Sequence, residues 1–339
     1  MTRFEGSKGR VAVFGAAGHT GRFVVDELLR RGLTPVAVGR RAEALEAAFP
    51  VGTVEIRAAS VDDPGALDRA FAGVAAVINC AGPFLDTVEA VASAALRAGA
   101  HYLDVSAEQP SAQAVYDRFD APFRAAGLVA LPAMAFYGGF ADLLVTAALS
   151  DWTQADEVRI GIGIDRWWPT EGTRVTGARN TAPRQVIAGG RLAPLPNPAP
   201  RTDWTFPEPL GRQAMVAVPF SEVVVVARHL KVARLDTFLS ETALNDVRDS
   251  ATPPPAAVDD RGLSAQRFAV EAIVMRAGET RRATAVGRDI YGFTAPLVCE
   301  AVERLLTGGV KTAGAVAPGQ VFDAADVLRA LPLAAFSVA

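Results

Sequence analysis

The sequence has little cysteine, lysine and histidine. It contains two cysteines and three histidines in 339 residues, and its lysines are Lys8, Lys231 and Lys311. Two cysteines cannot form the disulfide framework of a secreted domain, so we expect a cytoplasmic location. The histidines lack metal-ligand spacing and neither H-E-x-x-H nor C-x-x-C occurs, so we predict no metal site.

Several other signals are also missing. There is no G-x-S-x-G of acyl-transfer enzymes and no Tyr-x-x-x-Lys of short-chain reductases. The formal net charge is −3 without a basic or acidic run, so we expect no nucleic-acid or membrane partner. The long apolar stretch 128–149 is interrupted by Pro132 and Asp142, which favours a buried strand, a loop and a helix over a membrane span.

The first 130 residues instead alternate short apolar segments with amphipathic ones. Strands are predicted at 10–14, 35–38, 54–57, 75–79, 101–105 and 128–131. Segments this apolar are typical of strands buried on both faces, and the segments between them have helical periodicity. This alternation predicts a doubly wound parallel sheet.

After about Ser150 the pattern changes. Strands are predicted at 157–164, 215–218 and 223–227, and a hairpin at 268–275 and 281–286. Residues 194–209 contain six prolines and are predicted to form a loop. Helices are predicted at 294–306 and 323–331. The whole chain is therefore predicted to be α/β, a Rossmann-type doubly wound parallel sheet with a second α+β domain.

Three glycines, Gly15, Gly18 and Gly21, lie between the first strand and the first helix. Glycine lets a phosphate approach the backbone, and the N-terminus of a helix favours an anion. The spacing G-x-x-G-x-x-G differs from the commoner G-x-G-x-x-G, and a tight turn without a ligand is the alternative. In its strand–helix context, the loop predicts a site for a dinucleotide pyrophosphate.

Arginines follow the second strand, where an NAD-selective site usually has an acid. Arg40 and Arg41 can pair with a 2′-phosphate, which predicts NADP(H) as the cofactor. The alternative is a solvated helix start. After the third strand, Asp62 is a candidate acceptor for the adenine amino group, whereas Asp63 fits a helix N-cap equally well.

The turn after the fourth strand, "NCAGPF", is expected beside the ribose and nicotinamide. Cys80 in this turn is interpreted as a buried inert thiol, because no partner base is evident. The complete predicted cofactor site is Gly15, Ala17, Gly18, His19, Thr20, Gly21, Arg40, Arg41, Asp62, Asn79, Ala81, Gly82 and Pro83.

The stretches "VFGAAGHTGRFVVDELLRRG", "AVGRRAEAL", "VINCAGPF" and "AGAHYLDVSAE" resemble the saccharopine dehydrogenase-like oxidoreductases, including their trans-acting enoyl reductase relatives. The resemblance implies NAD(P)H-dependent hydride transfer and a split Rossmann domain, here residues 1–132 and 288–339, with a substrate and dimerisation α+β domain at 133–287. It implies that Arg40 reads the phosphate. "HYLDVSAE" follows the family pattern H-Y-x-D-x-x-G-E, except that Ala107 replaces the glycine.

Candidate catalytic residues are few. Tyr102, Asp104 and Tyr137 lie at or after strands five and six, where the ligands of such sheets bind. A structural hydrogen bond is the alternative for Tyr102 and Asp104, and packing is the alternative for Tyr137. Arg174 and Arg179 could bind a substrate carboxylate or lie at a surface or dimer interface.

We therefore expect an NADPH-dependent oxidoreductase that transfers a hydride to a C=N or C=O bond of a small molecule. The alternatives are an enoyl (C=C) reductase and a dinucleotide-binding protein with little catalytic activity. The glycine loop and Arg40 do not distinguish these three functions, because each of them requires the same cofactor-binding residues. A homodimer is expected.

Overall fold

A computed structural model describes residues 9–339, so Lys8 and the first residues of the predicted cofactor domain lie outside it. The strands are β1 Arg10–Phe14, β2 Thr34–Gly39, β3 Glu55–Ala58, β4 Ala76–Asn79, β5 His101–Asp104, β6 Val129–Leu131, β7 Gln154–Ile164, β8 Gln185–Ala188, β9 Arg191–Pro194, β10 Arg201–Thr205, β11 Arg212–Ala217, β12 Lys231–Ser240, β13 Arg267–Arg276, β14 Glu279–Arg288, β15 Gly314–Ala315 and β16 Ala335–Val338.

The helices are α1 His19–Arg30, α2 Ala42–Ala48, α3 Pro64–Phe71, α4 Phe84–Arg97, α5 Gln109–Ala125, α6 Ala141–Leu149, α7 Glu171–Arg179, α8 Glu222–His229, α9 Glu241–Arg248, α10 Ile290–Leu306, α11 Pro318–Val321 and α12 Ala324–Ala330. A π-helical turn, Phe136–Phe140, precedes α6. None of the helices in residues 9–339 is long and apolar enough to cross a membrane.

The chain divides into two compact units. Unit 1 extends to Ala135 and includes Thr294–Val316, and unit 2 comprises Phe136–Phe293 and Ala317–Ala339.

Unit 1 contains a parallel sheet of seven strands in the order β15-β6-β5-β4-β1-β2-β3. The predicted doubly wound sheet is therefore confirmed, and its predicted strands agree with β1 to β6 within about one residue at each end. Val11, Val13 and Ile78 are completely buried, as expected for strands covered by helices on both faces. The strand order reverses between β1 and β4, which opens a crevice at the carboxyl ends of these strands.

Unit 2 contains a mixed nine-stranded sheet. Its main path is β10-β11-β12-β7-β13-β14-β16, with β8 and β9 attached through β12. β12 and β7 are parallel, whereas the predicted hairpin of β13 and β14 is antiparallel. The second α+β domain is confirmed by this sheet and its helices.

Two predictions in unit 2 are wrong. The segment 223–227 forms helix α8 instead of a strand, because Val223, Val224, Val225 and Val226 are all buried and packing overrides their β preference. The proline-rich segment is more than a loop, since its residues Arg201–Thr205 form β10, which pairs with β11.

The compact units differ from the predicted division at the end of the chain. β16 pairs with β14 through registers such as Ala285↔Phe336, so Ala317–Ala339 lies in unit 2, whereas residues 288–339 were predicted to lie entirely in the cofactor domain. The roles of the two domains, cofactor binding and substrate binding with dimerisation, stay predictions.

Candidate functional site

The first glycine of the loop joins three segments at the crevice of unit 1. The Gly15 amide donates to the carbonyl of Val38, at the end of β2, over 2.8 Å. Gly15 has a φ of +81°, and a Cβ atom built there would lie 2.9 Å from the Cβ of Ala81, in the turn after β4. Glycine is therefore required by both the backbone conformation and the close approach of the two loops.

The other two glycines shape the start of α1. A Cβ on Gly21 would lie 2.3 Å from the Gly15 carbonyl oxygen, so this glycine allows the helix to pack on the loop. A Cβ on Gly18 would meet only that oxygen, at 3.1 Å, and Gly18 is exposed. Ala17 precedes it, and His19 and Thr20 open the helix.

The start of α1 fits an anion. The N-cap Gly18 provides no side-chain hydrogen bond, and the first turn contains no acid. The helix dipole is therefore not offset by an acidic side chain of that turn, which leaves its positive end for a ligand phosphate. Together with the open side of Gly18, this arrangement fits a dinucleotide pyrophosphate.

Arg40 and Arg41 follow β2 directly and are both exposed. Neither guanidinium makes a hydrogen bond or an ion pair with any residue in the range 9–339. Gly15 and Ala16 donate to Val38, so the end of β2 is tied to the glycine loop. The two guanidiniums are thus available to a phosphate beside this loop, and at the start of α2 they gain nothing from the helix dipole.

The two aspartates after β3 have different surroundings. Asp63 is the N-cap of α3, and its carboxylate accepts from the Ala66 amide at 2.9 Å, so the N-cap interpretation is confirmed. Asp62 is exposed, and within residues 9–339 its carboxylate accepts a hydrogen bond from Ser60 alone. Asp62 therefore remains available as the predicted adenine acceptor.

The turn after β4 is held rigid from within. Buried Asn79 accepts from the Ala81 amide at 3.0 Å and donates to the Thr87 hydroxyl at 3.1 Å. Thr87 in turn donates to the Ala81 carbonyl at 2.8 Å. Gly82 and Pro83 follow and lead into α4. Asn79 thus shapes this turn, and Ala81 is its contact with Gly15.

Cys80 lies in the same turn. Burial, and to a smaller extent the charge of Asp104, raise the pKa of its thiol well above the usual range. A thiol that stays protonated is a poor nucleophile, which agrees with the interpretation of an inert side chain.

Tyr102 and Asp104 form a buried pair, and neither side chain is exposed. The Tyr102 hydroxyl donates to Asp104 at 2.9 Å, and the amides of Ser106 and Ala133 donate to the same carboxylate at 3.0 and 2.8 Å. Burial raises the pKa of Asp104 to about 6. These contacts favour the structural alternative over a catalytic role for the pair.

The rest of "HYLDVSAE" also makes contacts within unit 1. His101 Nδ1 accepts from the Val129 amide at 3.0 Å, which links β5 to β6. The Glu108 carboxylate accepts from the amides of Phe84 and Leu85 at 2.7 and 3.2 Å, at the start of α4. The motif therefore fixes the strand end and the turn that carries Gly82 and Pro83, and this arrangement forms with Ala107 in place of the glycine.

Tyr137 lies in unit 2, in the π-helical turn rather than in the glycine-rich loop that its sequence indicated. Its ring stacks on Phe220 with centroids 4.2 Å apart, and Trp167 lies 5.5 Å away. The buried hydroxyl has no hydrogen-bond partner in residues 9–339. Burial is the main cause that raises its pKa. A buried hydroxyl without a partner usually binds water or a ligand.

A buried carboxyl near Tyr137 was missed by sequence reasoning. Glu222 is completely buried at the start of α8, and burial raises its pKa to about 7. One carboxylate oxygen accepts from the Phe220 amide at 2.9 Å, and the Thr237 hydroxyl and the charge of Arg184 also favour the ionised carboxylate. An acid followed by four valines was the signal in the sequence, but those valines indicated a strand.

Known proteins resemble the chain most clearly in unit 1. Residues 11–131 match the family described as the saccharopine dehydrogenase NADP binding domain. A relative from Arabidopsis thaliana, "Probable mitochondrial saccharopine dehydrogenase-like oxidoreductase", is 33% identical over 114 residues, or 29% of this chain and 25% of that protein. The saccharopine dehydrogenase-like oxidoreductase of Homo sapiens is 32% identical over 117 residues, or 29% of this chain and 27% of that protein.

The match thus spans about a quarter of the length of these curated relatives. Among solved structures, the saccharopine dehydrogenase (L-Glu forming) of Saccharomyces cerevisiae aligns with a TM-score of 0.64 and 14% identity, over 98% of this chain and 100% of that one. At this identity the alignment shows a shared fold.

Proposed function

We propose that the chain, whose residues 11–131 match the saccharopine dehydrogenase NADP binding domain, is an NADPH-dependent oxidoreductase of the saccharopine dehydrogenase-like kind. The proposed reaction is hydride transfer to a C=N or C=O bond of a small molecule. The relatives from Arabidopsis thaliana and Homo sapiens are both named oxidoreductases, which supports the general class.

One observation supports NADPH rather than NADH as the cofactor. Arg40 and Arg41 are exposed at the end of β2, and their guanidiniums have no hydrogen-bond or ion-pair partner in residues 9–339. The Gly15–Val38 hydrogen bond ties this strand end to the glycine loop. A 2′-phosphate beside the loop would give both guanidiniums a charged acceptor. The name of the matched domain, an NADP binding domain, agrees.

The proposed cofactor site consists of the three loop glycines with Ala17, His19 and Thr20 for the pyrophosphate, Arg40 and Arg41 for the 2′-phosphate, Asp62 for adenine, and Asn79, Ala81, Gly82 and Pro83 on the nicotinamide side. A bound nicotinamide supplies the hydride, so the protein contributes orientation and a proton source. Tyr137 is our candidate for contact with substrate, because its buried hydroxyl has no protein partner in residues 9–339. Tyr102 and Asp104 are assigned to the support of the β5 end.

Titration of the purified protein with NADPH and with NADH tests the proposal. Quenching of tryptophan fluorescence, or energy transfer to the nicotinamide, gives both dissociation constants. Binding of NADPH in clear preference to NADH supports the cofactor assignment and leads to a screen of ketones, imines and enoyl compounds for NADPH oxidation. Binding without turnover of any compound favours the alternative of a dinucleotide-binding protein with little activity.

We also propose a cytoplasmic homodimer. Cys80 and Cys299 are both free, which suits a reducing compartment, although the Arabidopsis thaliana relative is named mitochondrial. Light scattering of the purified protein measures its mass in solution, and a monomer would contradict this part of the proposal.

A further inference from the structure

Unit 2 contains a cavity of about 630 Å³ that unit 2 alone forms. Its walls come from α7, the segment before β8, the proline-rich segment, β11 and α9. The lining includes four arginines and an apolar wall, among them Arg174, Arg184, Arg201, Arg248, Val216 and Val218. Its volume lies in the usual range for small-molecule sites, about 300–1,000 Å³.

Two of its arginines, Arg184 and Arg248, line the cavity, and both keep exposed surface. The Arg184 guanidinium donates to the Pro219 carbonyl at 2.5 Å and lies over the Phe220 ring, 4.7 Å from its centroid. Arg248 makes no hydrogen bond or ion pair with residues 9–339. Loss of hydration is the main cause that lowers the pKa of Arg184; the charge of Glu222 opposes this shift, and the like charge of Arg248 adds to it. An anion placed between the two guanidiniums would relieve this repulsion.

The other charged groups around the cavity differ in their hydrogen-bond and ion-pair partners. Arg174 donates to the backbone carbonyls of Asp249 and Thr252, at 3.1 and 2.7 Å, and has no carboxylate partner among the described residues. Arg201 forms an ion pair with Glu241. The carboxyl near Arg184 is that of Glu222. Burial raises the pKa of Glu222 to about 7, so this group is only partly ionised at neutral pH. Arg184 is therefore not fully neutralised by the protein.

The rest of the lining decides the class of ligand. Val216 and Val218 are buried on one side, and Leu244 and Val247 lie on the helix that carries Arg248. None of the lining residues is acidic, so the described walls offer no counter-ion to an ammonium group.

We propose that this cavity binds a small carboxylate with an apolar body, the carboxylate between Arg184 and Arg248 and the body against the valines and leucines. Charge-assisted pairing with two guanidiniums holds the head group, and burial of the apolar part adds the hydrophobic contribution. A zwitterionic amino acid is disfavoured, because its ammonium group would lie beside arginines with no acidic lining residue to pair with.

Isothermal titration calorimetry with three matched probes tests the proposal. Octanoate has the predicted charge and apolar chain, octan-1-ol lacks the charge, and 2-aminooctanoate adds the ammonium group. We expect octanoate to bind at least about tenfold more tightly than either of the others, and to lose affinity as salt is added. Equal binding of octanoate and octan-1-ol would contradict the site.

Variants locate the binding. Arg248→Gln removes a guanidinium that makes no hydrogen bond or ion pair with residues 9–339, so it should fold normally and weaken octanoate about tenfold or more, with little effect on octan-1-ol. Arg212→Gln is the matched control, since Arg212 is exposed, pairs with Asp203 and lies outside the cavity. Unchanged octanoate affinity in Arg248→Gln would place the binding elsewhere and overturn the proposal.

This inference does not depend on the dinucleotide, because the experiment is done without cofactor. If the proposed reductase activity also holds, the ligand class narrows its substrate screen to keto, imino and enoyl acids with an apolar body. Tight binding of octanoate without turnover of such acids would count against the reductase and leave the anion site in place. Turnover of such acids without octanoate binding would support the reductase and count against the anion site.

Discussion

The carboxylate of Asp142, on α6, accepts a hydrogen bond from His229 Nε2, at the end of α8, over 2.7 Å. Its other oxygen accepts from the Gly319 amide at 2.7 Å. Asp142 is completely buried and the His229 side chain is 7% exposed, so water does not substitute for either partner. The pair therefore joins two helices of unit 2 to the segment that returns at Ala317.

This pair makes the stability of unit 2 depend on pH. Burial opposes the charge of His229, but the charge and hydrogen bond of Asp142 outweigh burial and raise the pKa of the imidazole. Because the folded-state pKa exceeds the unfolded value, the stabilisation is complete below about pH 6.5 and is lost as pH rises through the folded-state pKa. We expect His229→Ala to lower the free energy of unfolding by about 1–3 kcal/mol at pH 6 and by less at pH 9.

Urea unfolding of the wild type and the variant at both pH values measures the difference. The control is His19→Ala, which removes a histidine from unit 1 at the start of α1. A destabilisation of His229→Ala that is the same at both pH values would contradict this pH dependence.

A second pH dependence comes from Asp104 in unit 1. Burial raises the pKa of its carboxyl from 3.8 to about 6, so the folded state favours the protonated form. Its stabilisation is complete below about pH 4 and is lost as pH rises through about 6, at a total of roughly 3 kcal/mol from the shift. Asp104→Asn keeps an acceptor for the amides of Ser106 and Ala133 and removes the ionisation.

We therefore expect Asp104→Asn to abolish the fall in unit 1 stability between pH 4 and 6 and to match or exceed the wild type at pH 7. Asp104→Ala should instead destabilise by about 2–5 kcal/mol, because it leaves two buried amides and the Tyr102 hydroxyl unpaired. Thermal unfolding followed by circular dichroism over this pH range gives both results. An Asn variant that keeps the full pH dependence would assign it to another group.

The choice between NADPH and NADH should depend on the arginines after β2. Removal of both in Arg40→Ala/Arg41→Ala is expected to weaken NADPH about 10- to 100-fold and NADH little, because only NADPH carries the 2′-phosphate. Arg118→Ala provides the control, since Arg118 is an exposed arginine on α5 that pairs with Glu89. Equal losses for the two dinucleotides in the fluorescence titration would refute the 2′-phosphate assignment.

The open side of Gly18 gives a different prediction. Gly18→Val should fold, because a Cβ there meets only one oxygen, at 3.1 Å, but its side chain would occupy the place of the pyrophosphate. NADPH and NADH should both lose binding by more than about tenfold. Retained affinity for either dinucleotide in the titration would contradict the placement of the loop.

A comparison of Gly32 with Gly15 distinguishes the cost of a left-handed backbone from the cost of a close contact. Gly32 has a φ of +73° with no atom within 4 Å of an added Cβ, whereas Gly15 has a φ of +81° and its Cβ would lie against Ala81. We expect Gly32→Ala to cost about 1–2 kcal/mol of stability and to leave NADPH affinity unchanged. Gly15→Ala should cost more and also weaken NADPH, because Ala81 must move. Similar effects of both variants on NADPH would exclude a specific role for the Gly15–Ala81 contact.

Unit 1 could be predicted from sequence because its information is local. Each buried parallel strand is a short apolar run, and Asp63-Pro64 marks a helix start that the structure reproduces at Pro64. The glycine loop is likewise contiguous, so its spacing and its strand–helix context were readable together. The contact between Gly15 and Ala81 could not be predicted from the sequence, since it depends on how two loops pack together.

Unit 2 was harder because its contacts join distant segments. The four valines of α8 have strand propensity, and only burial on several sides makes them helical. Trp204 was assigned to a loop by its proline neighbours, yet it packs against Gly161, where an added Cβ would lie 2.5 Å from the indole ring. Arg184 and Arg248 lie on separate elements, and no spacing in the sequence relates them.

The pairing of β15 with β6 can form only late in synthesis, because the two strands are far apart in the sequence. β6 precedes the whole of Phe136–Phe293, and β15 follows it, so a chain still on the ribosome has β6 as an unpaired edge of the first sheet while all of that segment is synthesised. Unpaired edges promote association between chains. The registers Gly314↔Val129 and Ala315↔Ala130 close this edge late, so slow translation of the middle of the gene would prolong the period of exposure.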